Sequence, residues 1–355
     1  GSVSVTGNGN NTVSGSSAGL YAKSQITYCY NVTGGASSYA TGSHYIDPAS
    51  IVMTSNSGKN LVTGTDIGIY ATRSLNSTER YTLNSTYASD NREYHFYSVL
   101  ANGGLPGSTV TLAGIDNEVS GNIGIRAEND ATVTLEATGE NIVSGSEAAI
   151  VALTGSQTTV TGGSVVVSGK LLAAHGYTYS WNDYSNLPAQ ARNRETLSTI
   201  SIEYGAGSSV NGDMRAYKAG IITVAPADGE TGSVAITGDA YAYGSDEDLP
   251  ESVSSSDISL QIPDQLYYGV GFNTDTPTTG TVDITLSNGS TWSGTSDTGL
   301  MAYQDGDVTE DEIGTVNLEL NDTSVWTMTG SSAITLLSGD GGTVYYQDGG
   351  DALQV

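Results

Sequence analysis

Apolar and polar residues alternate along this chain in runs of a few residues. Examples are Val3-Val5, Val110-Leu112, Val133-Leu135, Val282-Ile284-Leu286 and Val316-Leu318-Leu320. A period of two is the signature of strands with one buried face, and no segment carries the spacing of an amphipathic helix. The runs recur in a fixed order. An alternating strand comes first, then a phrase of the form Asn-x-Val-Ser-Gly, then a third strand in which a large apolar residue stands near Ala or Gly, as in Gly19-Leu20-Tyr21-Ala22, Gly68-Ile69-Tyr70-Ala71 and Ala149-Ile150-Val151-Ala152. The middle phrase closes on Gly121, Gly145 and Gly169, which stand 24 residues apart. A constant interval of this length means that one supersecondary unit is stacked on copies of itself.

Further copies end at Gly15, Gly64, Gly212, Gly238, Gly294 and Gly330. Three short strands joined by tight turns suit one rung of a parallel β-helix, in which like positions of successive rungs lie about 4.8 Å apart and keep their chemical type. Two residues before each Gly stands Val, Ile, Trp or Met, which predicts an interior column. One residue before stands Ser or Thr, with Asn211 the exception, which predicts a small polar column able to bond along the stack. Asn11, Asn60, Asn117 and Asn141 are expected to form an asparagine ladder at a corner, where Asn tolerates left-handed backbone. The fold class expected is all-β: a single parallel β-helix across 1–355, of roughly eleven or twelve rungs spaced about 4.8 Å apart.

Composition fits thin strands and many turns, with 46 Gly, 2 Phe and 7 Pro in 355 residues. The net charge of −27 argues against a nucleic-acid partner, whose phosphates would be repelled. Cys29 is the only cysteine, so neither an intrachain disulfide nor a zinc-finger spacing is possible. No run of about eighteen apolar residues is present to span a bilayer as a helix. No signal peptide opens the given sequence, and Gly1-Ser2 reads as a cloning remnant, which leaves room for a targeting segment removed from before it.

The departures from the period fall at one phase of the repeat. From Gly15 to Gly64 the interval is 49, from Gly64 to Gly121 it is 57, and from Gly169 to Gly212 it is 43. Each excess follows the third strand, placing insertions at about 23–50, 72–106 and 174–196, with shorter ones at 244–256 and 304–312. Loops inserted at one phase of a solenoid emerge on one side, which marks that side as the working face. The insertions carry all three histidines (His44, His95 and His175) and a concentration of Tyr and Arg, the side chains that bring contact area and directional bonding to recognition surfaces. The candidate ligand-binding residues are Tyr28, Tyr30, Tyr45, Arg73, Arg80, Tyr81, Arg92, Tyr94, Tyr97, Tyr177, Tyr179, Trp181, Arg192 and Arg194. Packing of the loops onto the shaft is the alternative role for any single Tyr.

Carboxylates cluster at Asp183 with Glu195, at Asp246 to Glu251, and at Asp305 to Asp311, but no spacing singles out a catalytic pair or a calcium loop. No Gly-x-Ser-x-Gly elbow, His-Glu-x-x-His, EF-hand or P-loop pattern is present. Neither an enzymatic activity nor a metal or other cofactor is expected, although a carbohydrate-active enzyme remains an alternative.

The C-terminal residues carry a resemblance. Thr291-Trp292-Ser293-Gly294, then Ser324-Val325-Trp326-Thr327-Met328-Thr329-Gly330-Ser331-Ser332, then Gly342-Thr343-Val344-Tyr345-Tyr346, resemble the end of pertactin-like autotransporter passengers. The resemblance covers about 282–355 and implies a right-handed β-helix on the bacterial cell surface, closed by rungs of autochaperone type. It also implies an outer-membrane β-barrel translocator beyond this sequence. Passengers of this kind without a protease are mostly adhesins. The partners expected are therefore a host glycan or extracellular-matrix protein or, alternatively, identical passengers on neighbouring cells in aggregates and biofilms.

Overall fold

The computed structural model describes residues 1–32, 40–75, 107–128, 130–153, 155–174, 197–217, 219–228, 231–244, 279–300, 313–346 and 353–354; of 25–32, 40–47, 73–75 and 353–354 it describes the backbone alone. The described chain is all-β, and its 24 strands join one curled sheet whose pairings are almost all parallel. The exceptions are an antiparallel pair between Ala18–Val32 and Ala40–Asp47 and a short antiparallel strand, Leu353–Gln354, on Thr343–Tyr346.

The pairings sort into three columns, visited by the chain in the same order in successive turns. The first face begins with Ser2–Gly7 and continues through the first parts of Ser50–Gly64, Thr109–Glu128, Thr132–Leu153 and Gln157–Ser168 to Leu336–Ser338. The second begins with Asn11–Gly15 and ends with Thr343–Tyr346. The third begins with Ala18–Val32, passes through Ile67–Leu75, Leu171–Ala174, Met214–Tyr217 and Ala240–Tyr243, and ends with Ser296–Asp297. Among the described residues ten strands stack on the first face: those beginning at Ser2, Ser50, Thr109, Thr132, Gln157, Ser198, Gly220, Thr281, Thr315 and Leu336.

The core follows from the alternation. Val5, Met53, Leu112, Leu135, Val160, Ile202, Val224, Ile284, Leu318 and Leu337 stack on the inner side of the first face. Leu20, Ile69, Ile125, Ile150, Leu171, Met214 and Ala240 do so on the third, beside an unbroken alanine column from Ala22 to Ala242. On the second face the Val column runs from Val13 to Val210 and continues through Ile236, Trp292 and Trp326. The two buried indoles stack with ring centroids 4.8 Å apart and planes inclined by 7°, and each donates its ring N–H to a glycine carbonyl, Gly238 and Gly294. Trp326 rather than Met328 occupies the interior column, since Met328 lies opposite Gly294. The phrase ending at Gly330 is therefore two residues out of step with the others, a slip that keeps the same side of the strand inward.

The asparagine ladder forms as expected. Each Nδ2 donates to the next Oδ1 at 2.8 Å, from Asn11 to Asn60, Asn60 to Asn117 and Asn117 to Asn141, and also to a backbone carbonyl at the adjoining turn. These four residues do not adopt left-handed backbone; among the described non-glycine residues that conformation occurs at Asp130, Ala219, Asn288, Asp322 and Thr323. Further along the same corner the column changes to Val165, Ser208, Val234 and Ser290. There a serine Oγ accepts the neighbouring valine N–H at 2.9 Å, from Val165 to Ser208 and from Val234 to Ser290. The glycine column has two physical causes. Gly169 has φ +124, which side chains rarely adopt, whereas a Cβ at Gly145 would lie 1.8 Å from the Ala148 carbonyl oxygen.

Candidate functional site

The three faces differ on their outer sides. Outside the second face the Ser/Thr column runs from Ser14 through Thr63, Ser120, Ser144, Ser168, Asn211, Thr237 and Ser293 to Thr327, with Ser120 bonded to Thr63 at 3.3 Å. Outside the third face the corresponding column is Tyr21, Tyr70, Arg126, Val151, Leu172, Arg215, Tyr241 and Asp297. A second apolar cluster, separate from the shaft core, lies on this outer side and includes Val151, Leu153, Leu172, Ala174, Tyr217 and Tyr243, all buried.

The insertions depart from this face. Residues 76–106 follow Ile67–Leu75, residues 175–196 follow Leu171–Ala174, and 245–278 come after Ala240–Tyr243. The first insertion extends the face before it leaves. Pairing between the first two strands continues past Ala22 and Ala71 to Ile26 and Leu75, after which the chain turns back as the antiparallel strand Ala40–Asp47.

At the N-terminal end of the face the Tyr21 and Tyr70 rings stack, 5.1 Å apart and inclined by 13°. The Arg126 guanidinium carbon lies 5.8 Å from the Tyr70 ring centroid. Both Tyr70 and Arg126 converge on the fully buried Glu128 carboxylate. The Tyr70 hydroxyl donates to one oxygen, and Arg126 Nη2 lies 3.3 Å from the other. Burial and the Glu128 charge push the Tyr70 phenol far above its usual range and raise Tyr21 as well, because both favour the neutral form.

Toward the C-terminal end a second set is built on the corner aspartates. Asp213 Oδ1 accepts the Asp239 amide at 3.1 Å, and its Oδ2 accepts from Arg215 at 2.8 Å. One turn on, Asp239 Oδ1 accepts the Thr295 amide at 2.7 Å and Oδ2 accepts the Tyr241 hydroxyl at 3.2 Å. The Arg215 guanidinium carbon lies 5.1 Å from the Tyr241 ring centroid. Tyr243 donates to Asp297 at 2.6 Å and stacks against Tyr217. Burial pushes Tyr217 up to about 12 despite the opposing Arg215 charge. Burial likewise raises Tyr241 and Tyr243, helped by Asp239 and Asp297 respectively. Lys170, at the adjoining corner, is lowered by burial and by Arg215. Each carboxylate thus ties one turn to the next and orients an outward Arg or Tyr.

Of the candidate residues, Tyr28, Tyr30 and Tyr45 lie in the antiparallel pair, Tyr28 opposite His44, Tyr30 opposite Gly42 and Tyr45 opposite Thr27. Arg73 lies in Ile67–Leu75, opposite Ser24. Arg80, Tyr81, Arg92, Tyr94, Tyr97, Tyr177, Tyr179, Trp181, Arg192 and Arg194 lie outside the described residues. The residues that the structure brings together are others: Tyr21, Tyr70, Arg126 and Glu128 at one end, and Arg215, Tyr217, Tyr241 and Tyr243 at the other. A signal for them exists in the sequence, since Tyr21, Tyr70 and Arg126 each stand between an inward apolar residue and an inward Ala, so alternation alone turns them outward. Among the described residues no group of three or more His, Cys, Asp or Glu could hold a metal ion. Comparison with protein-family models, curated proteins and solved structures gives no match for this chain.

Proposed function

We propose that the chain is the passenger domain of a bacterial surface adhesin of the autotransporter kind, attaching to a host glycan or extracellular-matrix protein through the third face and the insertions that leave it. In this reading the three strand columns are the faces of one right-handed parallel β-helix. Three parallel columns visited in constant order, and connections of one hand in parallel sheets generally, support it. The stacked Trp292 and Trp326 support an autotransporter-like C-terminal end.

One observation carries the assignment of the working face. The Tyr- and Arg-bearing insertions depart from the only one of the three faces whose outer column is itself built of Tyr and Arg among the described residues. Aromatic and guanidinium groups held by carboxylates, as at Glu128, Asp213 and Asp239, are what a preorganised binding surface requires. The test is removal of 76–106, with Leu75 joined to Gly107 by a short Gly-Ser linker. Bacteria displaying the shortened chain are expected to lose attachment to host cells while the strand circular dichroism stays unchanged. Undiminished attachment would refute the assignment.

A further inference from the structure

We infer that the outer side of the first face is an ice-binding surface, built of two adjacent columns of outward threonine and serine. The inference does not rest on the adhesin reading, which concerns the third face. Alternation turns Thr109 and Thr111 outward on either side of the buried Val110. The next turns place Thr132 and Thr134, then Gln157 and Thr159, then Thr199 and Ser201, in the same two columns. Ser50 precedes the first column, and Thr223 continues the second. Seven of the eight positions in these four turns carry a hydroxyl. The second face does not repeat this, since the column beside its Ser/Thr column holds Leu61, Glu118, Ile142 and Val166. The preference of strands for Thr acts on both faces alike and does not account for the difference.

Pairing across the four turns is one-to-one, and register shifts begin only beyond Gly114 and Ala137. The hydroxyls therefore repeat about 4.8 Å apart from turn to turn and about 6.6 Å apart along each strand. A rectangular net of that size lies near the oxygen net of a prism face of ice. Thr is β-branched and stiff about its first side-chain bond, so hydroxyl and methyl directions repeat with the backbone. Thr109 donates to Ser50 at 3.0 Å. Among the described residues the hydroxyls of Thr111, Thr132, Thr134, Thr159, Thr199, Ser201 and Thr223 bond to no protein group, and none is sealed from solvent. Their hydrogen-bonding capacity is left to water, on a scaffold that fixes the spacing in advance.

Charge separates ice from other occupants. The chain carries −27, yet the two columns hold no ionised side chain from Ser50 to Thr223. Carboxylates begin in the neighbouring column, at Glu136 and Glu203, and in the turn after Thr223, at Asp283. Ice is uncharged, and an ion on the contact would have to give up its own hydration shell, so a neutral net of hydroxyls and methyls is the complementary surface. A protein partner is less well matched, because the columns offer no aromatic or arginine anchor.

The test is growth of single ice crystals in a solution of the 355-residue chain, with thermal hysteresis and recrystallisation followed by microscopy. The parent is expected to hold crystals in a faceted form and to suppress their coarsening. Thr134→Asp, inside the net, should lower the hysteresis about tenfold, and Thr159→Lys likewise, because each sets an ion against the lattice. Ser144→Asp, on the second face, should leave it unchanged, and strand circular dichroism checks that all three variants are folded. A parent chain with neither hysteresis nor recrystallisation inhibition would overturn the inference. So would undiminished activity of both first-face variants, or an equal loss with Ser144→Asp. Sedimentation showing a parent dimer that Thr134→Asp dissociates would also overturn it, by giving the face to a second copy.

Discussion

The outer sides of the second and third faces are made by the same backbone, turn after turn, yet they hold different chemistry. On the second face the outward column is Ser and Thr, side chains that need only water or a neighbouring hydroxyl. On the third face it contains Tyr70, Arg126, Arg215 and Tyr241, each held by a carboxylate at Glu128, Asp213 or Asp239. A stacked fold leaves every outward position free to vary, so outward Tyr and Arg side chains held by carboxylates in this column, rather than Ser and Thr, point to a demand other than folding. That contrast is the support for proposing the third face as the working side.

The largest effect should come from breaking the support on the third face. Replacing Glu128 by Ala strands the Arg126 guanidinium and the Tyr70 hydroxyl, and is expected to cost about 3–5 kcal/mol in urea unfolding. The matched change on the second face, Ser144→Ala, should stay within about 0.5 kcal/mol. Equal costs would erase the distinction between the faces.

Alkaline pH sharpens it further. A tyrosine whose folded pKa is raised keeps its proton when the unfolded chain has lost it, so its stabilising effect is complete below the ordinary value near 10 and disappears above it. For Tyr217, raised to about 12, the loss runs from pH 10 to about 12. The expected slope is about 1.4 kcal/mol per pH unit for each such group. Tyrosinate absorbance followed alongside unfolding should show the Tyr217→Phe variant losing less stability across that window than the parent, and equal losses would count against the assignment.

The smallest effect compares inside with outside. Thr158 interrupts the inner column between Val133 and Ile200, and its buried hydroxyl has no hydrogen-bond partner. Thr158→Val should stabilise the chain by about 1 kcal/mol, read as a raised urea midpoint, whereas Thr63→Val, on the exposed second face, should leave the midpoint unchanged.

Much of the architecture was legible because a stacked repeat prints its geometry directly on the sequence. The Val column, the Ser/Thr column and the Asn11-to-Asn141 ladder were each readable from one phrase and its interval. Two features were not. The phrase ending at Gly330 matches the others in residue type, yet stacking of Trp326 on Trp292 sets its register two residues away. The tolerance of Asn for left-handed backbone, the reason given for its place at the corner, is not used at the ladder, whose amides instead bond to the next Oδ1 and to a carbonyl of the adjoining turn.

The candidate site was harder to read for a physical reason. Composition drew attention to the insertions, where aromatic and basic residues are dense, and away from single outward residues inside regular strands. Tyr21, Tyr70 and Arg126 become a cluster only when strands 49 and 56 residues apart are laid in register. Glu128, which holds two of them, is one of many carboxylates in the sequence, and nothing but its burial distinguishes it.

Blocking one face at a time tests the central claim most directly. With Cys29 changed to Ser, a single cysteine is placed either at Ser14, on the second face, or at Tyr21, on the third face of the same turn, and coupled to a bulky biotin–streptavidin adduct. Host-cell attachment should survive the adduct at Ser14 and be lost with the adduct at Tyr21. Loss at Ser14 with attachment preserved at Tyr21 would contradict the claim that the third face is the binding side.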